Sequence, residues 1–197
     1  MRVTREQVRE NRRRILEAAG RLLREKGFSA VTVAEVMEAA GLTHGGFYGH
    51  FASKEDLAAQ ALAQALIPAP REPGAAAGLA GFVASYLSAA HRDRPGTGCA
   101  LAALGGEAAR QPAPVRRAFT EGLEARLSRM QEGLPEGDRA TALAALSGLV
   151  GALVLARAVD DPALSDEILA AARTALEPLG DRRADPPCAA APRTGRP

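Results

Sequence analysis

Between Thr43 and Lys54 the chain gathers a hydroxyl, two imidazoles, a phenol and an ammonium on Thr43, His44, Tyr48, His50 and Lys54. These are hydrogen-bond donors and one fixed positive charge. That chemistry grips phosphate oxygens and reaches base edges. Gly45 and Gly46 interrupt the run, and each costs a helix roughly 1 kcal/mol relative to Ala. They make sense where the backbone must approach another surface closely. Lys54 follows Ser53 at the start of a helical pattern, where a cation opposes the helix dipole. The same position suits a phosphate, because amide N–H groups and the ammonium converge on it. Each residue also has a plainer reading. Thr32, Thr43 and Ser53 are caps, Tyr48 a half-buried core residue, and His50 a solvated histidine.

These residues need short, well-bounded helices to hold them. Thr4-x-x-Gln7, Thr32-x-x-Glu35 and Ser53-x-x-Asp56 read as three capping boxes. The first opens a helix whose apolar face is Val8, Ile15, Ala19, Leu22 and Leu23, ended by Gly27 with Phe28 folded back. The second opens a two-turn helix carrying Val33, Val36, Met37 and Ala40, stopped by Gly41. Thr43 is expected to cap a third short helix reaching Phe51, with Phe47 and Phe51 turned inward and Tyr48 and His50 outward. A fourth runs from Ser53 to about Ile67. Two short helices joined at a glycine form a helix-turn-helix pattern, in which the second enters the major groove of DNA. Phosphate contacts then fall to Thr43, Tyr48, His50 and Lys54, and base edges to His44 and the glycines.

Residues 11–67 resemble the N-terminal domain of the TetR/AcrR family of repressors. The resemblance rests on Ile15-Leu16-Glu17-Ala18-Ala19, Gly27-Phe28, Thr32-Val33 and Ala39-Ala40-Gly41-Leu42. It continues through Gly45-Gly46-Phe47-Tyr48-Gly49-His50-Phe51 and Ser53-Lys54-Glu55-Asp56-Leu57. Gly49 is a departure, since a larger residue there would hold the helix better. The resemblance implies a ligand-responsive repressor, binding a palindromic operator as a homodimer and released by a small-molecule effector. It implies DNA contacts from Thr43, Tyr48, His50 and Lys54, and an all-helical effector-binding and dimerisation domain after residue 74. The expected organisation is all-α. A three-helix DNA-binding domain spans 1–67, with its reading segment at 32–54. A helical domain follows at 75–180, and a disordered tail at 181–197.

Pro68, Pro70, Pro73 and Gly74 mark the joint. Helical patterns follow near 76–92, 98–110, 114–132, 138–158 and 163–178. Residues 140–156 carry no charge, which fits a helix buried on all sides better than a membrane span, for which it is short. Ser147, Gly148, Gly151 and Ala152 would permit close helix crossing, and the last two helices are expected to pair with their copies in a dimer. Phe82, Tyr86, Leu87, Cys99, Leu104, Phe119 and Leu123 are candidate effector-pocket residues, although cores use the same types. Cys99 reads either as a small buried hydrophobe or as a thiol activated by a helix N-terminus and able to sense electrophiles or oxidants. The run from Gly98 to Glu107 is similar to one found in a broad branch of the family.

Composition narrows the alternatives. The chain is 47% hydrophobic and only 4% aromatic, so its core must be built from Ala, Leu and Val, which suit packed helices. Residues 1–30 hold nine basic and four acidic groups, a balance of +5. With a total of +2, the remainder sums to −3. A basic end is a footprint for a polyanion or, more plainly, a solvated helix face. Two cysteines form no disulfide framework, and Cys188 falls in the tail. No cofactor and no metal is expected, because no Cys/His cluster has metal spacing. Without an apolar leader the expectation is a cytoplasmic, nucleoid-associated protein. Two other functions compete. An enzyme would need Cys99 as nucleophile with His91 as base. An architectural DNA binder without a sensor would show salt-dependent binding with little sequence preference.

Overall fold

The computed structural model describes residues 4–67, 78–134 and 137–180. The expected joint at Pro68, Pro70, Pro73 and Gly74, the tail from residue 181 and Cys188 lie outside the described residues. Among the described residues the chain is all-α, with no strand. The N-terminal helices are α1 (Arg5–Ala30), α2 (Val33–Ala39) and α3 (Lys54–Leu66), with a 3₁₀ turn at His44–Gly49 between the last two. Then come α4 (Gly78–Tyr86), α5 (Ala89–Arg92), α6 (Ala100–Ala108), α7 (Ala113–Glu132), α8 (Arg139–Ala158) and α9 (Pro162–Leu176).

The caps act largely as the sequence suggests. Thr32 and Glu35 complete a reciprocal box at α2. Thr4 accepts from the Gln7 amide, but the Gln7 side chain turns to Asn11. Ser53 accepts from the Asp56 amide, while the Asp56 carboxylate accepts from the Ala52 N–H, one residue further out. Gly27, at φ +81°, ends the regular part of α1 and Phe28 folds into the core.

Several expectations are corrected. Thr43 makes no capping hydrogen bond, and 44–49 is a 3₁₀ turn instead of an α-helix. Two adjacent glycines weaken the α-helix, and so short a segment closes with i→i+3 bonds. Val8 is 41% exposed, because α1 extends beyond the helices that cover Ile15 and Leu22. The pattern at 76–92 breaks at Ser88, which caps α5 through the His91 amide. Pro114 and Pro162 lie in the first turns of α7 and α9 instead of separating helices, where a missing N–H costs nothing.

Helix α8 is not buried on all sides. Ala142, Ala145, Leu146, Leu149, Ala152, Leu153 and Ala156 face the core, but Leu143, Val154 and Leu155 are exposed, Leu155 at 57%. By length and composition α8 could cross a membrane, yet its inner face packs against α7 and α9. Gly148 meets Leu176 of α9 at 3.4 Å, whereas Gly151 faces open space.

Two contacts tie the N-terminal helices to the rest. Gly122 of α7 is buried against Leu66 of α3, so close that any Cβ would collide with the leucine side chain. At the other end of α1, the Phe28 N–H donates to the Glu107 carboxylate on α6 at 3.0 Å, and Arg24 donates to the Gly96 carbonyl at 2.8 Å.

Candidate nucleic-acid interface

The 43–54 surface rests on two phenylalanines. Phe47 and Phe51 are fully buried with rings stacked 5.8 Å apart. Burying each such side chain contributes about 1.5–3 kcal/mol, enough to anchor a turn whose own hydrogen bonds are few. Arg12 of α1 clamps the turn from below. Its guanidinium lies 4.4 Å from the Phe51 ring centroid and donates to the His50 carbonyl and to the Gln60 side chain. Gln60 in turn donates to Asp56 at 2.7 Å. The Asp56 carboxyl is held below its usual range, chiefly by the Ala52 N–H and then by Gln60. Arg12, Gln60 and Asp56 escape sequence reading, since nothing distinguishes Arg12 from its neighbours Arg13 and Arg14.

Above this support, Thr43, His44, Gly45, Gly46 and Tyr48 are exposed together on one surface. Tyr48 is 74% exposed, its ring edge-on to Phe47. No atom lies within 4 Å of a Cβ placed on Gly45 or Gly49, so nothing in the protein itself demands these glycines. His50 departs from the expected outward pose. It is half-buried, with Nδ1 enclosed and without a protein partner. Lys54 is half-buried at the first position of α3, beside Thr32, Val33 and Leu57. Thr32 is exposed, its N–H and hydroxyl turned to Glu35.

The basic N-terminal segment is more neutral than its composition. Arg13 pairs with Glu10 and Glu17, Arg21 with Glu25, and Lys26 with Glu35. Lys26 holds the Glu35 carboxyl below its usual range, helped by the Thr32 N–H. Arg24 is half-buried on a carbonyl, and desolvation lowers its pKa. These four cations belong to the fold, so the phosphate-facing charge is smaller than +5 suggests.

The expected pocket residues do not line one cavity. Tyr86, Leu87, Cys99 and Leu104 are core. Phe82 lines a cavity of about 340 Å³ between α4 and α7, with Gly78, Leu79, Arg126, Arg129, Met130, Glu132 and Gly133. Phe119 lines a separate, open groove with Gly105 and Arg116. Leu123 is half-buried against the core. Cys99 is only 9% exposed and caps α6. His91 Nε2 accepts the Cys99 N–H at 3.0 Å while Nδ1 lies 2.7 Å from the Tyr86 carbonyl. That pair of bonds needs a neutral ring protonated on Nδ1. Its basic lone pair is committed to an amide, so His91 is a poor base for the thiol. Desolvation, opposed by the Tyr86 carbonyl, holds its pKa below the ordinary histidine value.

A three-helix head with an exposed turn, latched to a second helical layer, defines a helix-turn-helix regulator. Comparison with known proteins agrees. Residues 15–61 match the family model described as bacterial regulatory proteins, tetR family. The chain is 41% identical over 56 residues to the HTH-type transcriptional regulator AcrR of Shigella flexneri, covering 28% of this chain and 26% of that protein. It is 41% identical over 66 residues to TtgR of Pseudomonas putida (34% and 31% covered) and over 51 residues to the transcriptional repressor KstR2 of Mycobacterium tuberculosis (26% and 26%). The matched part thus spans only about a quarter to a third of these relatives. The fold likeness is wider. A TetR-family regulator from Agrobacterium tumefaciens superposes with TM-score 0.66 at 19% identity, over 86% of this chain and 98% of that one. The reduced form of E. coli NemR gives 0.61 at 20% identity, over 86% and 97%. The chain is a member of the tetR family of bacterial regulatory proteins.

Proposed function

We propose that the chain is a ligand-responsive transcriptional repressor that binds a palindromic operator as a homodimer. The observation that carries this reading is the exposed donor surface of the 43–54 turn on its buried Phe47–Phe51 base. Residues 1–67 form the reading head, and residues 75–180 the effector and dimerisation module. Thr43, Tyr48, His50 and Lys54 grip the phosphates, with His50 offering its Nε2. His44 reaches a base edge, Gly45 and Gly46 let the backbone close on the groove, and Thr32 flanks it. The exposed apolar stripe of Leu143, Val154 and Leu155 on α8, continued by Leu164 on α9, is the surface two copies would share. The repressor sense follows the name of KstR2 and is extended to this chain by similarity.

A thiol switch at Cys99 is a subordinate reading, because electrophiles react fastest with exposed thiolates and this one is enclosed. A Cys99→Ser protein that keeps wild-type sensitivity to an electrophile in DNA release would end it.

The test is selection of DNA fragments from the source genome by the purified protein, followed by footprinting. Two protected half-sites about one helical turn apart are expected, with Tyr48→Ala and Lys54→Ala each weakening binding on every sequence tried. Sequence-indifferent binding, or wild-type affinity in the double variant, would overturn the reading.

A further inference from the structure

Behind the cavity between α4 and α7 lies a buried polar group that the reading head does not use. Tyr86 is 7% exposed, and its hydroxyl is enclosed without a hydrogen-bond acceptor. The Cys99 thiol beside it is at best a weak one. Arg157 of α8 donates through Nε and one terminal nitrogen to the carbonyls of Arg92 and His91, at 3.0 and 2.7 Å. Its other terminal nitrogen is enclosed and has no acceptor. Arg126 of α7 acts electrostatically, with Arg157, on both the Tyr86 hydroxyl and the His91 ring. No carboxylate is among the groups acting on that hydroxyl or that ring. Two enclosed donors therefore converge in a positive environment, and orphaned buried donors call for a partner.

Arg126 also lines the cavity, so the polar group and the cavity share a wall. The rest of that lining is apolar on Leu79, Phe82 and Met130, and the Phe82 ring packs 5.6 Å from the Tyr86 ring. Arg129 and Glu132 also border the cavity and pair with each other at 3.4 Å, so their charges offset. A volume of about 340 Å³ falls within the range of small-molecule sites.

We infer that the effector is a small amphipathic carboxylate. Its apolar body lies on Leu79, Phe82 and Met130, and its carboxylate accepts from Arg126, the Tyr86 hydroxyl and the spare Arg157 nitrogen. The inference rests on reading the C-terminal helices as an effector module, and it supplies the chemical class. The carboxylate would also sit near Cys99, at the start of α6, whose far end holds Phe28 of α1 through Glu107.

The probe is 2-naphthoate, compared with the isosteric, neutral 2-naphthamide by titration calorimetry on the full chain. The carboxylate is expected to bind wild type about tenfold or more tightly than the amide, the margin of charge-assisted hydrogen bonds. Tyr86→Phe, which keeps the packed ring, and Arg126→Gln should each remove most of that preference. Equal binding of the two compounds, no binding of 2-naphthoate at millimolar concentration, or full preference in Tyr86→Phe overturns the inference. A DNA arm on the selected duplex separates the two readings. Naphthoate that binds without loosening DNA supports the anion site and ends the effector reading. A neutral compound that releases DNA where naphthoate does not bind has the reverse meaning.

Discussion

The Glu107–Phe28 bond is the most exposed point of the architecture to a single substitution. Phe28 is buried, and its N–H has the Glu107 carboxylate as acceptor at 3.0 Å. Glu107→Ala strips the acceptor from an amide that the surrounding core keeps from water. Hydrogen bonds to a charged group contribute about 1.5–3 kcal/mol, and an orphaned buried donor costs about the same. Glu107 is half-buried, so water entering the vacated space recovers part of this, and about 2 kcal/mol is expected. For a chain of this size that corresponds to a fall of about 4–8 °C in Tm. Glu107→Gln keeps an acceptor without the charge and should lose about half as much. The assay is urea unfolding followed by far-UV circular dichroism at fixed protein concentration, because a dimer's stability depends on it. A midpoint shift with unchanged m reports stability alone. A Glu107→Ala protein within about 0.5 kcal/mol of wild type, the ordinary range for surface substitutions, would refute the reasoning and reduce the bond to an incidental contact.

Other consequences are checked as simply. Phe47→Ala should cost about 3–5 kcal/mol as a large-to-small core change and abolish DNA binding, whereas Tyr48→Ala should leave urea stability near wild type. The depressed His91 pKa has a defined sign. Its neutral form supports folding above the unfolded value of 6.5, and that support is lost as pH falls from there through the folded value. Urea midpoints should therefore drop on acidification through this window, and His91→Gln, which keeps an acceptor for the Cys99 amide, should flatten the drop. Leu155→Glu on the exposed α8 stripe should shift sedimentation toward a monomer, and an unchanged dimer would place the interface elsewhere. Peptide-resolved alkylation should label Cys99 far more slowly in native protein than in urea, and equal rates would contradict its burial.

The N-terminal helices were legible because their signals are local. The Thr32–Glu35 box and the Phe47/Phe51 spacing each act within one or two turns, and each forms as written. Even there, the 3₁₀ form of 44–49 was hidden, since a helical period cannot tell i→i+3 from i→i+4 bonding over so few residues. The half-buried His50 was hidden for another reason. Its environment is set by Arg12, thirty-eight positions away in sequence. Non-local partners also explain the pocket. Tyr86, Cys99 and Leu104 have the same composition whether they line a cavity or fill a core, and only the packing of α4 on α7 decides that Phe82 and Arg126 meet the open space. The apparent basic patch dissolved because i,i+3 and i,i+4 pairs on α1 neutralise it. Those pairs were readable in the spacing, as helix neighbours of opposite charge.

The contact of Gly122 with Leu66 bears on how such proteins can be recombined. Reading heads of this kind invite grafting onto foreign sensing modules, with the seam cut between them. Here the seam is a keyed joint. The head presents a leucine where the long helix of the sensor must present no side chain at all. A chimera that keeps residues 1–67 but borrows a sensor with alanine or larger at the facing position should assemble with its head displaced. Restoring glycine at that one position should return it to register, so compatibility between head and sensor reduces to a single hydrogen atom in place of a methyl group.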